Sequence, residues 1–171
     1  MTGGIAERIV ERKVAILGRL GVYPMVRLSL PARRLLAYLA LQGRPVSRTA
    51  AAGNLWLDLP EDAGRANLRR ALWHVPRGWI EAVGDELALS ADVDFARAQA
   101  VAAHALRGEA LTYEDIVLLS NDVLPGWHEE WLLAGQEAFR LLRVEALEAA
   151  CRMMTTAGDL ALAAQAGMAA L

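Results

Sequence analysis

Short β-branched runs open the chain, at Val14 to Val22 and Met25 to Leu30, separated by Tyr23-Pro24. Val26, Leu28 and Leu30 alternate with Arg27 and Ser29, the period of a half-buried strand, so a small N-terminal antiparallel sheet is predicted. The period then turns helical. Pro31 suits a first turn, Leu35, Leu36 and Leu39 make one apolar face, and Gly43 stops the helix. Ser47 is a good N-cap for a second helix reaching about Trp56. Leu57 to Pro60 turns into a third helix, with Glu61 and Asp62 at its positive end, which must finish near Val75 because Pro76 follows. Trp79 to Val83 and Leu87 to Leu89, joined by Gly84-Asp85-Glu86, read as a short hairpin.

Beyond Asp94 the pattern is helical throughout. Helices are expected over about Asp94 to Arg107, over Tyr113 to Leu119 after a Thr112 cap, and from Trp127 to Thr155 after a turn at Leu124-Pro-Gly126. Gly158-Asp159 ends the long helix and caps a last one that reaches Leu171. The predicted fold class is mainly α with small β. Two domains are expected, at residues 1–91 and 92–171.

Composition agrees with packed helices, since the 55% hydrophobic content comes largely from Ala and Leu. No apolar run is long enough for a transmembrane helix, and Met1 to Arg12 lacks the apolar core of a signal peptide, so a cytoplasmic location is expected. The single Cys151 sits in a helical pattern and reads as a small core residue. Charge changes the picture more. Lys13 to Arg77 holds eleven basic residues against three acids, whereas Ile80 to Leu171 holds five against fifteen. The basic stretch is the candidate for a polyanion surface.

The third helix carries that candidate. With Leu68 at the centre of the buried side, Gly64, Ala71, Leu72 and Val75 fall beside it. Ala63, Ala66, Asn67, Arg70, Trp73 and His74 fall opposite, and Arg69 lies at the edge. Small Ala63 and Ala66 permit close approach to a groove. Arg70 suits guanine, and Asn67 suits adenine or a phosphate. Arg33, Arg34, Arg44, Arg48 and Arg77 ring the helix as phosphate contacts. The competing reading has Arg69 and Arg70 paired with the acidic half, closing an interface within the chain.

Leu35-Leu-Ala-Tyr-Leu-Ala-Leu41, Arg44-Pro-Val-Ser-Arg48 and Ala66-Asn-Leu-Arg-Arg-Ala-Leu72 resemble the DNA-binding domain of SARP-type activators, the antibiotic-regulatory-protein family. Leu124-Pro-Gly-Trp-His-Glu-Glu-Trp-Leu132 and Phe139-Arg-Leu-Leu-Arg-Val-Glu-Ala-Leu147 resemble the bacterial transcriptional activator domain that follows it. The resemblance runs in order from about Val14 to Leu171. It implies an OmpR-like winged helix-turn-helix with its third helix in the major groove, and a tetratricopeptide-like helical domain. It also implies dimeric binding to repeated elements in double-stranded DNA and recruitment of RNA polymerase. Carried over by position, recognition falls on Asn67, Arg69, Arg70 and His74, with Arg69 assigned to phosphate and the other three to bases.

Three features depart from the family pattern. Val75-Pro-Arg77 cuts the third helix short, the hairpin tip is short and acidic and is expected to be repelled by phosphate, and the last helix has nothing after it to stack on. The chain is therefore expected to be a fragment, a truncated relative, or one that completes its helical domain by oligomerising. His128-Glu-Glu-Trp-Leu132 begins like a zinc-protease helix but has Leu132 where the second histidine would stand. Glu129 and Glu130 read as solvated, His104 as a surface or interface residue, and Trp127 with Trp131 as core or interface. No nucleotide-binding glycine loop or nucleophile–base pair is readable, and no enzyme, cofactor or metal is expected. The expected function is sequence-specific DNA binding in transcription regulation. The alternative is a protein-interaction adaptor.

Overall fold

The computed structural model describes residues 11–171; positions 1–10, read above as no signal peptide, lie outside them. β1 (Lys13–Ala15) and β2 (Gly21–Tyr23) form the expected antiparallel pair, with Val14 opposite Val22. Met25 to Leu30 is not a strand. Val26 and Leu28 keep the alternation and are half-buried, but Leu30 is exposed because the next helix already starts there. That helix, α1 (Leu30–Gln42), is capped by the Ser29 hydroxyl, which accepts from the Ala32 N–H at 3.4 Å. Pro31 sits in its first turn, where a missing N–H is harmless, and Gly43 ends it in the left-handed region at φ 60°.

The single apolar face expected for α1 proves to be two. Every residue from Leu35 to Ala40 is buried, with Leu36, Ala37 and Ala40 facing one core and Leu35, Tyr38 and Leu39 the other. A helix packed on both sides carries no polar stripe, so periodicity alone understates its burial.

β3 (Val46–Ser47) runs into α2 (Arg48–Leu55), where the Ser47 hydroxyl accepts from the Ala50 N–H at 3.1 Å. A turn through Trp56 to Pro60 leads to α3 (Glu61–His74), which stops as extended Val75 meets Pro76. β4 (Ile80–Val83) and β5 (Glu86–Leu89) form the predicted hairpin, and β3 pairs with the free side of β5. β6 (Asp92–Val93) lies parallel to β1, in a sheet of order β2-β1-β6 that joins residues on either side of position 91.

Then come α4 (Asp94–Leu106), α5 (Tyr113–Leu119), α6 (Glu130–Ala157) and α7 (Leu160–Ala169). Thr112 and Asp115 form a reciprocal capping box on α5, and Gly158 and Asp159 end α6 and cap α7 as expected. α6 starts later than Trp127. Leu124 and Gly126 both have positive φ, and the Gln136 amide donates to the carbonyls of Val123 and Leu124, which extends the turn.

Asp94 joins the two ends of the fold. Its carboxylate accepts from the Ile16 N–H at 2.8 Å and the Leu17 N–H at 3.1 Å. Burial raises its pKa above the ordinary aspartate value, and these donors offset only part of that effect.

Among the described residues the fold is thus mainly helical with two small sheets. The larger core joins the Val14–Leu17 segment to α4–α7 and one side of α1. The smaller lies among α1, α2, α3 and β5. Half-buried Cys151 packs on the larger core, close to Gly167. Among the described residues no helix is long and apolar enough to cross a membrane.

Candidate nucleic-acid interface

α3 rests on α2 through Gly64. A Cβ there would meet the Ala52 carbonyl oxygen at 3.4 Å and Trp56 Cβ at 3.8 Å, ordinary contact distances, so the two helices are packed to about the reach of one methyl. Gly64, Leu68 and Ala71 are buried, and Leu72 and Val75 are half-buried beside them. This is the inward side that the helical period assigns. Arg69, Arg70, Trp73 and His74 are exposed, while Ala63, Ala66 and Asn67 are half-buried at the flank. Arg70 Nη1 donates to Asn67 Oδ1 at 3.2 Å, which draws two of the candidate base-contacting groups together. Trp73 is 87% exposed, an unusual place for a large apolar ring.

Among the described residues, Arg69 and Arg70 make no ion pair, and the cations of the acidic stretch pair with acids of that same stretch. Among the described residues a single ion pair joins the basic stretch to the acidic one, Arg34 with Glu129. Arg34 Nε and Nη2 donate to the two Glu129 oxygens at 2.8 and 2.6 Å. Nη2 also donates to the Leu55 carbonyl at 2.6 Å, and the guanidinium lies 5.8 Å from the Trp56 ring centroid. The two side chains are only 20% and 26% exposed. Arg34 is therefore withdrawn from the expected phosphate set, because its donors are already engaged inside the protein. Glu129 is likewise not a solvated carboxylate.

Trp131 completes this junction. Its indole N–H donates to Glu129 at 3.0 Å, and its ring meets Tyr38 edge-on at 5.5 Å. Asn54 on α2 in turn donates to the Tyr38 hydroxyl at 3.2 Å. A chain of contacts therefore runs from the start of α6 to the turn that leads into α3.

The remaining phosphate candidates occupy different places. Arg33 is exposed on α1, and Arg77 is exposed just after α3. Arg48 opens α2, half-buried, and its backbone N–H donates to the Asp85 carbonyl at 2.8 Å, which ties the hairpin tip to that helix. Arg44 is exposed after Gly43, at the rim of a cavity that also holds Lys13 and Arg97. Glu81 to Glu86 are all exposed, so the hairpin presents Glu81, Asp85 and Glu86 to solvent.

Arg65 is a further cation on α3 that the helical reading passed over. It pairs with Glu61 at 2.6 Å and reaches the Thr49 hydroxyl on α2 at 3.4 Å. It lies about 60° from Leu68 at 100° per residue, as far to one side as buried Ala71 does to the other, yet it is exposed. The contacts of Arg34 and Glu129 had no sequence signal, because the partners stand 95 positions apart. No protein-family model matches this chain, and no curated protein matches it significantly.

Proposed function

We propose that the chain is a sequence-specific DNA-binding transcription regulator, and on the strength of the SARP resemblance an activator. In this reading α1–α3 with the β4–β5 hairpin act as a winged helix-turn-helix, and α4–α7 as a tetratricopeptide-like domain. The observation that carries it is the outer face of α3, where Arg69, Arg70 and His74 are exposed and both arginines lack an ion-pair partner among the described residues. An exposed cationic helix face, seated on a second helix by a glycine contact, has the shape and charge to enter a major groove.

Asn67, Arg70 and His74 then read bases, and Arg33, Arg44, Arg48, Arg69 and Arg77 hold phosphates. The acidic hairpin tip adds little. Dimeric binding to repeated sites and an RNA polymerase contact accompany this reading through the resemblance.

Trp73 favours a second reading, a protein-interaction adaptor. A protruding Trp flanked by arginines has the composition of a protein-binding hot spot. Fluorescence anisotropy of the protein with a labelled random duplex, at several salt concentrations, separates the two. Five phosphate contacts predict a log–log salt slope of roughly −4.5. Absence of binding at low salt overturns the DNA reading and leaves the adaptor.

A further inference from the structure

We propose that the cavity between the two cores binds an apolar organic anion, of the size and kind of a medium-chain carboxylate. It measures about 790 Å³, within the range of small-molecule sites. Its walls come from both halves of the fold: the end of α1, β5, β1, β6 with the start of α4, and α5. Val14 and Leu39 are buried in its floor, and Leu89 and Leu118 are half-buried beside them, so the body of the site is apolar.

Three cations stand at the rim, Lys13, Arg44 and Arg97, contributed by three separate segments. Arg44 has no ion-pair partner among the described residues. Lys13 pairs only with exposed Glu11 at 3.4 Å, and Arg97 reaches Asp115 at a long 3.8 Å. Two carboxylates, Asp92 and Asp94, line the cavity against these three cations, and both Asp94 oxygens are turned to the Ile16 and Leu17 N–H groups rather than to the cations. An apolar hollow with a positive mouth selects a ligand with a hydrocarbon body and an anionic head. A ligand seated there touches both cores at once, and this holds whether or not α3 reads DNA.

The experiment is calorimetric titration of the full chain with decanoate, and with decanol as the uncharged control. Saturable one-to-one binding of decanoate is expected. Ala96→Phe, on the exposed side of α4 and projecting into the cavity lining, should abolish binding of both probes. Arg44→Gln and Arg97→Gln together should weaken decanoate by about tenfold or more while changing decanol far less. Absence of decanoate binding overturns the site, as does binding that survives Ala96→Phe. Decanol binding as tightly as decanoate overturns the anionic head group.

Discussion

Arg70 and Asn67 stand one turn apart on α3, and their 3.2 Å hydrogen bond orients the guanidinium before any partner arrives. Under the DNA reading, Arg70→Ala should lower specific affinity by about 1–3 kcal/mol and relax the preference at one base position. Binding measured on specific and random duplexes checks this, and equal losses on both would remove Arg70 from base reading. Arg70→Lys should also lose specificity, because an ammonium does not reproduce the fork that pairs with guanine. The exposure of this face could be read from the sequence, because polar side chains at helical spacing need no knowledge of distant residues. The engagement of Arg34 could not, because nothing local distinguishes it from Arg33.

Asp94 makes a prediction of the opposite electrostatic kind. Burial raises its pKa above 3.8, so the folded state holds this proton more tightly than the unfolded chain does. While ionised, the group opposes folding. As pH falls through its folded value towards the ordinary one, that opposition is relieved. Denaturant melts of the wild type and Asp94→Asn should therefore differ with pH. The difference should move in favour of the wild type between about pH 7 and pH 4, and a flat difference would mean that the carboxyl titrates normally.

At the scale of elements, α2 and α3 meet at Gly64, where a methyl would reach ordinary contact distance and a larger side chain would press on α2. Gly64→Val would press branched methyls towards the Ala52 carbonyl and Trp56, and should cost about 1–3 kcal/mol of stability in denaturant melts. Gly64→Ala should lie close to neutral, since its Cβ meets that carbonyl at 3.4 Å and alanine recovers up to about 1 kcal/mol of helix propensity. Losses of the same size for both variants would show that the helices are not in close contact there. Capped helices were legible even where short: Ser47, Thr112 and Asp159 start the helices that their side chains predict. Strands β3 and β6 have two residues each, too few for alternation to register. Met25 to Leu30 shows the converse, since its alternation survives without a neighbouring strand to pair with.

For the whole molecule, opposite charge between the two stretches does not serve as general glue. It is concentrated in Arg34–Glu129, backed by Trp131, Tyr38 and Trp56. A double-mutant cycle with Arg34→Met and Glu129→Gln should give a coupling of about 1–3 kcal/mol, because both groups are largely shielded from water. The exposed Arg140–Glu137 pair is the control and should couple less. Equal coupling in the two pairs would show that the junction is as solvated as the surface. Asp92–Val93 beside β1 closes the other end of the same junction.

That strand pairing also bears on the order of events during synthesis. All the buried residues of the smaller core lie between Leu35 and Leu87, so this core can assemble as soon as that length of chain has emerged. Lys13, by contrast, has to wait for Asp92, and the core that Val14 and Ile16 enter also needs residues as late as Ala166. β1 is thus made before α1–α3 but locked in place after them. Until then its apolar side chains stay open to the wrong neighbours, and the long loop that must close around them is expected to be the slow step of folding.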